Sequence, residues 1–228
     1  MSEFSENPRF NPKLFFGFFA FALLYWQAES YACLLPYHFT SLLIPGERWG
    51  WTLKACGLLF SALLILCFPW LRRNVGLRWR QAPGSLRISI IVFFAYLGYG
   101  AISGLFSQPQ PFSLDTILFQ ATMPSLEEEL AYRGIILALL ERAFGHSPMT
   151  CRWRFGWASL ITSLLFWHNV TLHDGRLLIP LSMAYTAFDG AIWALIRTRS
   201  GSLLWPMLFH SAVDVANSAV PMIRYGHH

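Results

Sequence analysis

The chain has 228 residues, of which 55% are hydrophobic and only 13% are charged, and its net charge is +5. Soluble domains usually carry about twice that share of charge, so this composition excludes an ordinary soluble protein. The basic residues stand in short blocks between apolar runs, a pattern that indicates membrane topology and argues against a nucleic-acid partner. The four cysteines show no paired spacing, so neither a disulfide framework nor a zinc knuckle is predicted.

The apolar runs are long enough to cross a bilayer as helices, since about 20 residues span roughly 30 Å of hydrocarbon. Prolines and glycines punctuate the joints between them. We therefore predict an all-α, polytopic transmembrane helical bundle of about seven spans, with residues 1–113 as N-terminal helices and 114–222 as a helical core of the same membrane domain. In chain order the spans are residues 14–35, 51–71, 87–107, 114–141, 155–171, 178–197 and 203–222.

The distribution of arginine and lysine predicts the orientation of these spans. With the N-terminus inside, 12 basic residues fall in the inner segments, whereas only Arg48, Arg176 and Arg224 fall clearly outside. Lys54, at the start of the second span, is grouped with the outer residues. Because positive charge is concentrated in cytoplasmic loops, we expect the N-terminus inside and the C-terminus outside.

Several ionisable side chains lie inside the predicted spans, where each costs at least about 2.5–3.5 kcal/mol. They occur in the fourth, fifth and seventh spans. The set is Glu127, Glu128, Glu129, Arg133, His168, His210 and Asp214.

Helical geometry sorts these residues, because side chains four apart share a face while neighbours diverge by about 100°. Glu129 and Arg133 can therefore pair, and Glu128 points elsewhere with its carboxylate outside that pair. Glu127 is expected outside the site, as a helix-packing or cavity-lining group. His210 and Asp214 share a face of the seventh span.

The three spans bring these groups to a similar depth. Glu128 and His168 each lie 14 residues from the nearest inner-side arginine, or about 21 Å, and His210 lies 11 residues away, or about 16 Å. Pro124 and Pro206 each precede a site residue by four positions and would free a backbone carbonyl. We therefore predict one buried site with a small wet cavity, slightly toward the outer half of the membrane.

The fourth and seventh spans carry recognisable motifs. Glu128-Glu129-Leu-Ala-Tyr-Arg133 is an EExxxR signature, and Gly201-Ser-Leu-Leu-Trp-Pro-Met-Leu-Phe-His210-Ser-Ala-Val-Asp214 is an HxxxN/D segment. Over roughly residues 114–218 the chain resembles the CPBP family of glutamic intramembrane proteases, which includes the Ras-converting CAAX endopeptidases. The register is fixed, because only Glu128 as the first glutamate leaves arginine at the last motif position.

The resemblance implies a role for each matching residue. Glu128 would be the general base that activates water, assisted by His168; His210 with Asp214 would stabilise the oxyanion, and Glu129 with Arg133 would support the site. The family's middle segment usually has phenylalanine four residues before the histidine, where this chain has Leu164 and instead carries Phe166. Asp214 stands where CAAX endopeptidases have asparagine, so it acts as a neutral donor only if protonated, or else by orienting His210.

No cofactor is expected, and the partners predicted are the bilayer and a membrane-anchored protein or peptide substrate. Two other readings stay open at this point. One is a metal-dependent membrane hydrolase, although the sequence lacks HExxH; the other is a non-catalytic scaffold or immunity protein. The substrate is not readable from the residues: the resemblance leaves open CAAX-type cleavage of prenylated proteins, trimming of bacteriocin leaders and processing of C-terminal sorting tails. A prokaryotic inner membrane is the expected location.

Overall fold

The computed structural model describes residues 10–34, 50–146, 155–174 and 180–226, without the side chains of 27–34, 167–174 and 180–183. No strand occurs in these ranges, so the all-α prediction is confirmed for them. The elements are α1 (Pro12–Leu34), α2 (Trp51–Cys67), α3 (Pro69–Asn74), α4 (Leu86–Phe106), α5 (Leu114–Glu129), a π-helical segment (Leu130–Ile136), α6 (Leu137–Ala143), α7 (Trp157–Asp174), α8 (Pro180–Ser200) and α9 (Leu204–Tyr225).

One end of the bundle is formed by the starts of α2 and α5 and by the end of α9. The indole N–H of Trp51, the first residue of α2, donates to Asp115 in the first turn of α5 at 2.9 Å. At the end of α9 the Arg224 guanidinium donates to the carbonyls of Leu105 and Ser107, at 2.6 and 2.9 Å. These contacts bring together segments that the charge distribution assigned to the outer side.

The opposite end joins the loop after α3 to the turn between α8 and α9. Arg78 donates from Nε to the Gly201 carbonyl at 2.7 Å, and Arg197 donates to the Asn74 carbonyl at 2.8 Å. Gly76 has φ of 81° and packs against the Arg197 guanidinium, where a Cβ would lie 2.5 Å from Cζ. Only glycine fits both the left-handed backbone and this close approach. Both joined segments were assigned to the inner side.

α5, the π-helical segment and α6 follow one another without a loop. Pro124 lies inside α5, and every residue of the π-helical segment is buried. A π-helical turn widens the helix by one residue, and such turns are frequent at functional sites. Arg133 lies within this segment and the three glutamates lie just before it, so the irregular backbone coincides with the charged part of the helix.

The outer surface of the bundle is strongly apolar, as in α4, where Ile91, Phe94 and Ile102 are each more than half exposed. Among the described residues α4 is the one helix long and apolar enough to cross a membrane, and shorter apolar stretches occur at Pro12–Trp26, Trp51–Cys67 and Trp157–Phe166. The prediction of about seven spans is therefore not confirmed, whereas the prediction of an all-helical fold holds for the described residues. A physical reason is visible in α5, whose three consecutive glutamates shorten its apolar stretch.

Candidate active site

The last turn of α5 carries three consecutive glutamates, all of them buried. Because successive side chains on a helix diverge by about 100°, the three carboxylates face three different sets of neighbours. Buried carboxylates need paired charges or hydrogen bonds, so each of the three must be compensated by groups among its neighbours.

Glu129 faces the π-helical segment and pairs with Arg133. Arg133 Nη1 lies 2.9 Å from Glu129 Oε1, and both side chains are fully buried. The guanidinium also stacks on the Phe166 ring, 3.9 Å from its centroid, and lies 5.0 Å from the Trp193 ring. This pair, predicted from the four-residue spacing, is enclosed by aromatic rings that hold its geometry.

His210 from α9 lies between two carboxylates. Its Nδ1 is 3.0 Å from Glu129 Oε1, and its Nε2 is 3.3 Å from Asp214 Oδ2 one turn along the same helix. The Trp193 ring packs against the imidazole at an angle of 38°, with centroids 4.8 Å apart. Both ring nitrogens can donate only when the imidazole is protonated, so this environment favours an imidazolium.

Glu128 lies between His210 and Lys54. Its Oε1 accepts from Lys54 Nζ at 2.7 Å, while its Oε2 lies 3.9 Å from His210 Nε2. The expectation that Glu128 stays outside the Glu129–Arg133 pair agrees with these contacts. Its pairing with a lysine from α2 was not anticipated, because Lys54 had been grouped with outer charges whereas only 5% of it is exposed.

Glu127 was expected outside the site, but it is connected to it through the same lysine. Lys54 Nζ also donates to Glu127 Oε2 at 2.9 Å, and the Tyr25 hydroxyl donates to Glu127 Oε1. Glu127 therefore contacts the group that binds Glu128, although it is fully buried and does not line the cavity described below.

Glu128, His210 and Asp214 line one cavity of about 590 Å³. Pro124 and Gln120, four residues before the proline in α5, line the cavity as well. The wall also includes Lys54, Phe166, Tyr185, Asp189 and Trp193. The cavity extends to Gly50 before α2 and to Phe119 in α5, and so reaches toward the end of the bundle where these helices begin.

Asp189 of α8 is a cavity residue that the sequence analysis did not select. It is buried and accepts a hydrogen bond from the Tyr96 hydroxyl of α4 at 2.7 Å. It lies inside a predicted span, so the cost of placing an ionisable group in lipid could have identified it. No recognised motif contains it, which explains the omission.

Two further predictions concern residues on α7 and α9. His168 belongs to α7, but its side chain lies outside the described residues. Pro206 falls in the first turn of α9, which begins at Leu204, and the Ser202 carbonyl accepts from the Ser200 hydroxyl at 3.1 Å. The prediction that Pro206 frees a backbone carbonyl is therefore wrong, because a proline in the first turn of a helix removes no hydrogen bond.

Phe166 packs into the site, whereas Leu164 occupies the position where the family usually has phenylalanine. Leu164 is half exposed, whereas Phe166 is buried, lines the cavity and carries the Arg133 guanidinium on its ring. Among the side chains that the structure describes, no group of three or more His, Cys, Asp or Glu is placed to hold a metal ion.

Comparison with known proteins finds one family model that part of the chain matches. No curated protein and no solved structure matches the sequence. Residues 110–216, from just before α5 into α9, match the family model of type II CAAX prenyl endopeptidase Rce1-like proteins. The matched segment contains all the motif residues above, whereas Lys54 and Tyr25 lie before it. The resemblance to the CPBP and CAAX protease family is thereby confirmed for residues 110–216, which are similar to a family of peptide hydrolases.

Proposed function

We propose that this protein is an intramembrane endopeptidase that cleaves a peptide bond of a membrane-associated protein or peptide with a water molecule activated by Glu128. The observation that carries the proposal is the meeting of Glu128, His210 and Asp214 on the wall of one cavity. These residues come from two separate helices, and all three lie within residues 110–216, the segment that matches the family model.

The chemistry follows from the positions of the oxygens and nitrogens. Glu128 Oε2 and His210 Nε2, 3.9 Å apart, are too far apart for a direct hydrogen bond but near enough to contact one water molecule. Glu128 takes a proton from that water, and the resulting hydroxide adds to the scissile carbonyl carbon. His210 turns its Nε2–H from Asp214 to the developing oxyanion while Nδ1 stays bound to Glu129, and the proton held by Glu128 passes to the leaving amine as the C–N bond breaks.

Asp214 acts in this scheme by orienting His210 rather than as a neutral oxyanion donor. Its Oδ2 lies 3.3 Å from His210 Nε2, while Glu129 binds Nδ1. An ionised carboxylate is an acceptor only, so Asp214 cannot replace the donor function of an asparagine amide. The imidazolium between the two carboxylates supplies the donor.

A membrane location is supported by the length and apolarity of α4 and by the exposed apolar side chains of the other helices. Soluble monomers rarely expose contiguous apolar surface of this kind. The description of the family names CAAX prenyl peptides, so a prenylated CAAX peptide is the first substrate to test. The inner membrane of a prokaryote remains the proposed compartment.

The proposal is tested by measuring cleavage of an internally quenched, farnesylated CAAX peptide by the purified protein in liposomes. Glu128→Gln should lower kcat by about 10²–10⁴-fold, the contribution typical of a general base. Glu141→Gln is the matched control, because Glu141 lies 13 residues further along the same continuous helix, about 20 Å away, and does not line the cavity.

Three results would count against the proposal. Full activity of Glu128→Gln would remove Glu128 from the mechanism. Loss of wild-type activity on treatment with a metal chelator would favour the metal-dependent reading. Absence of cleavage of both the farnesylated peptide and its unprenylated counterpart, together with unchanged membrane-peptide profiles in cells that express Glu128→Ala, would favour a non-catalytic role.

A further inference from the structure

Lys54 contacts Glu128 from outside the family-matched segment. It lies one turn into α2, whereas the match covers residues 110–216. Its side chain is only 6% exposed, and its ammonium lines the same cavity as Glu128 and His210. A buried ammonium is costly unless it is paired with negative charge, so Lys54 must be compensated by its neighbours.

The ammonium contacts one oxygen of each of two neighbouring carboxylates. Nζ lies 2.7 Å from Glu128 Oε1 and 2.9 Å from Glu127 Oε2. Two carboxylates on adjacent residues repel each other when both are ionised, and a shared cation removes that repulsion. The ammonium contacts Glu128 through Oε1, while Oε2 of the same carboxylate lies 3.9 Å from His210 Nε2.

Glu127 holds the Lys54 ammonium in position. It accepts from the Tyr25 hydroxyl of α1 through Oε1 and from Lys54 through Oε2, so both of its oxygens are engaged. A Cβ at Gly57, one turn after Lys54 in α2, would lie 2.5 Å from Glu127 Oε1, so the glycine leaves the space that this carboxylate occupies. Helices α1 and α2 together hold Glu127 and Lys54 against α5.

We propose that Lys54 is a positioning residue of the proposed peptidase site: it keeps Glu128 ionised and fixes which of its carboxylate oxygens faces His210. This inference rests on the proposed function and extends it. The N-terminal helices thereby supply a functional side chain to a site whose motif residues all lie in the C-terminal half.

A kinetic comparison tests this role with the farnesylated quenched peptide. Lys54→Met, which preserves length and removes charge, should lower kcat by at least about tenfold, yet less than Glu128→Gln, because the base is present but poorly ionised. KM should change little. Lys54→Arg, which restores the cation, should recover part of the loss. Lys13→Met is the matched control, since Lys13 is the other lysine of the chain and is exposed on α1.

The pH profile separates positioning from a merely structural effect. Without the cation, a buried carboxylate is harder to ionise, so the acidic limb of the kcat profile of Lys54→Met should move to higher pH. A protein that has only lost stability would show a lower amount of active enzyme with an unchanged profile. An unchanged profile together with unchanged kcat would overturn the proposal.

An infrared measurement tests the same claim without any cleavage. At neutral pH, Lys54→Met should gain the C=O stretching band of a protonated carboxyl group relative to wild type and to Lys13→Met. The band should disappear in Lys54→Met/Glu127→Gln/Glu128→Gln. Absence of the new band in folded Lys54→Met would overturn the role of Lys54 even if the peptide is not a substrate.

The outcomes also separate this inference from the proposed function. Cleavage by wild type that is abolished in Glu128→Gln and unaffected in Lys54→Met would leave the peptidase standing and remove Lys54 from it. A rise in KM confined to peptides with a free C-terminal carboxylate, compared with C-terminal amides, would overturn positioning in favour of substrate binding by Lys54.

Discussion

The guanidinium of Arg133 is fully buried between Glu129 and two aromatic rings. Its charge compensates Glu129, which in turn contacts His210 Nδ1 at 3.0 Å. A change at Arg133 therefore reaches the imidazole through one intermediate carboxylate. Ion pairs of this kind add little to stability compared with an apolar replacement of both partners, but removal of one partner leaves an uncompensated charge.

Arg133→Met is accordingly expected to lower the free energy of unfolding by about 3–5 kcal/mol. Arg133→Lys should cost less, because it keeps the charge and loses the planar stack on Phe166. Thermal unfolding of the detergent-solubilised protein measures both. Arg87→Met is the control, since Arg87 is an exposed arginine at the start of α4. Equal melting temperatures for Arg133→Met and Arg87→Met would contradict a stabilising role of the pair.

The position of α9 in the bundle depends on its contact with α4. A Cβ at Gly100 would meet the carbonyl oxygen of Val213 and lie 2.9 Å from its Cα. Val213 precedes Asp214 and lies one turn from His210, so the distance between the two helices sets the position of both site residues. Glycine allows this approach because it has no side chain.

Gly100→Ala should therefore displace α9, destabilise the protein by about 1–3 kcal/mol and lower peptide cleavage. Gly98→Ala is a matched control in the same helix, because a Cβ there would meet nothing within 4 Å. It should leave activity unchanged and stability unchanged or slightly higher, since alanine favours helix more than glycine. Similar losses in the two variants would show that close packing of α4 on α9 is not the cause.

The loops at the two ends of the helical bundle differ in charge. The end with Arg78 and Arg197 joins segments predicted inside, and the end with Trp51 and Arg224 joins segments predicted outside. α4 connects the two ends, and its 21 residues extend about 32 Å, which matches the hydrocarbon thickness. The bundle geometry thus agrees with the charge pattern about which loops share an end.

The orientation is tested by cysteine labelling at the two ends of α4. In a background without the four native cysteines, Trp79→Cys and Gln108→Cys place exposed thiols before and after this helix. With the N-terminus inside, a membrane-impermeant maleimide should label only Gln108→Cys in intact cells and both variants after lysis. The reverse pattern would invert the topology, and labelling of both in intact cells would exclude α4 as a span.

Comparison of the sequence with the structure shows which site contacts were predictable. The Glu129–Arg133 and His210–Asp214 pairs follow from four-residue spacing on one helix, and both are present in the structure. The separation of Glu128 from the first pair also follows from helical periodicity. Its pairing with Lys54 does not, because the two residues are 74 positions apart and no local pattern relates them. The same holds for Asp189 and Tyr96, which are 93 positions apart.

The helical class, the order of the helices and the identity of the motif residues follow from the amino-acid sequence, because apolar length, helical period and charge cost are local properties of the chain. The assembled bundle settled which long-range partners the three adjacent glutamates take, namely Tyr25, Lys54 and His210. That choice of partners depends on which helices pack against α5 and at what height. A buried charge is stabilised by whatever partner the packing brings within about 3 Å, and that distance is fixed by the assembled bundle rather than by any one segment.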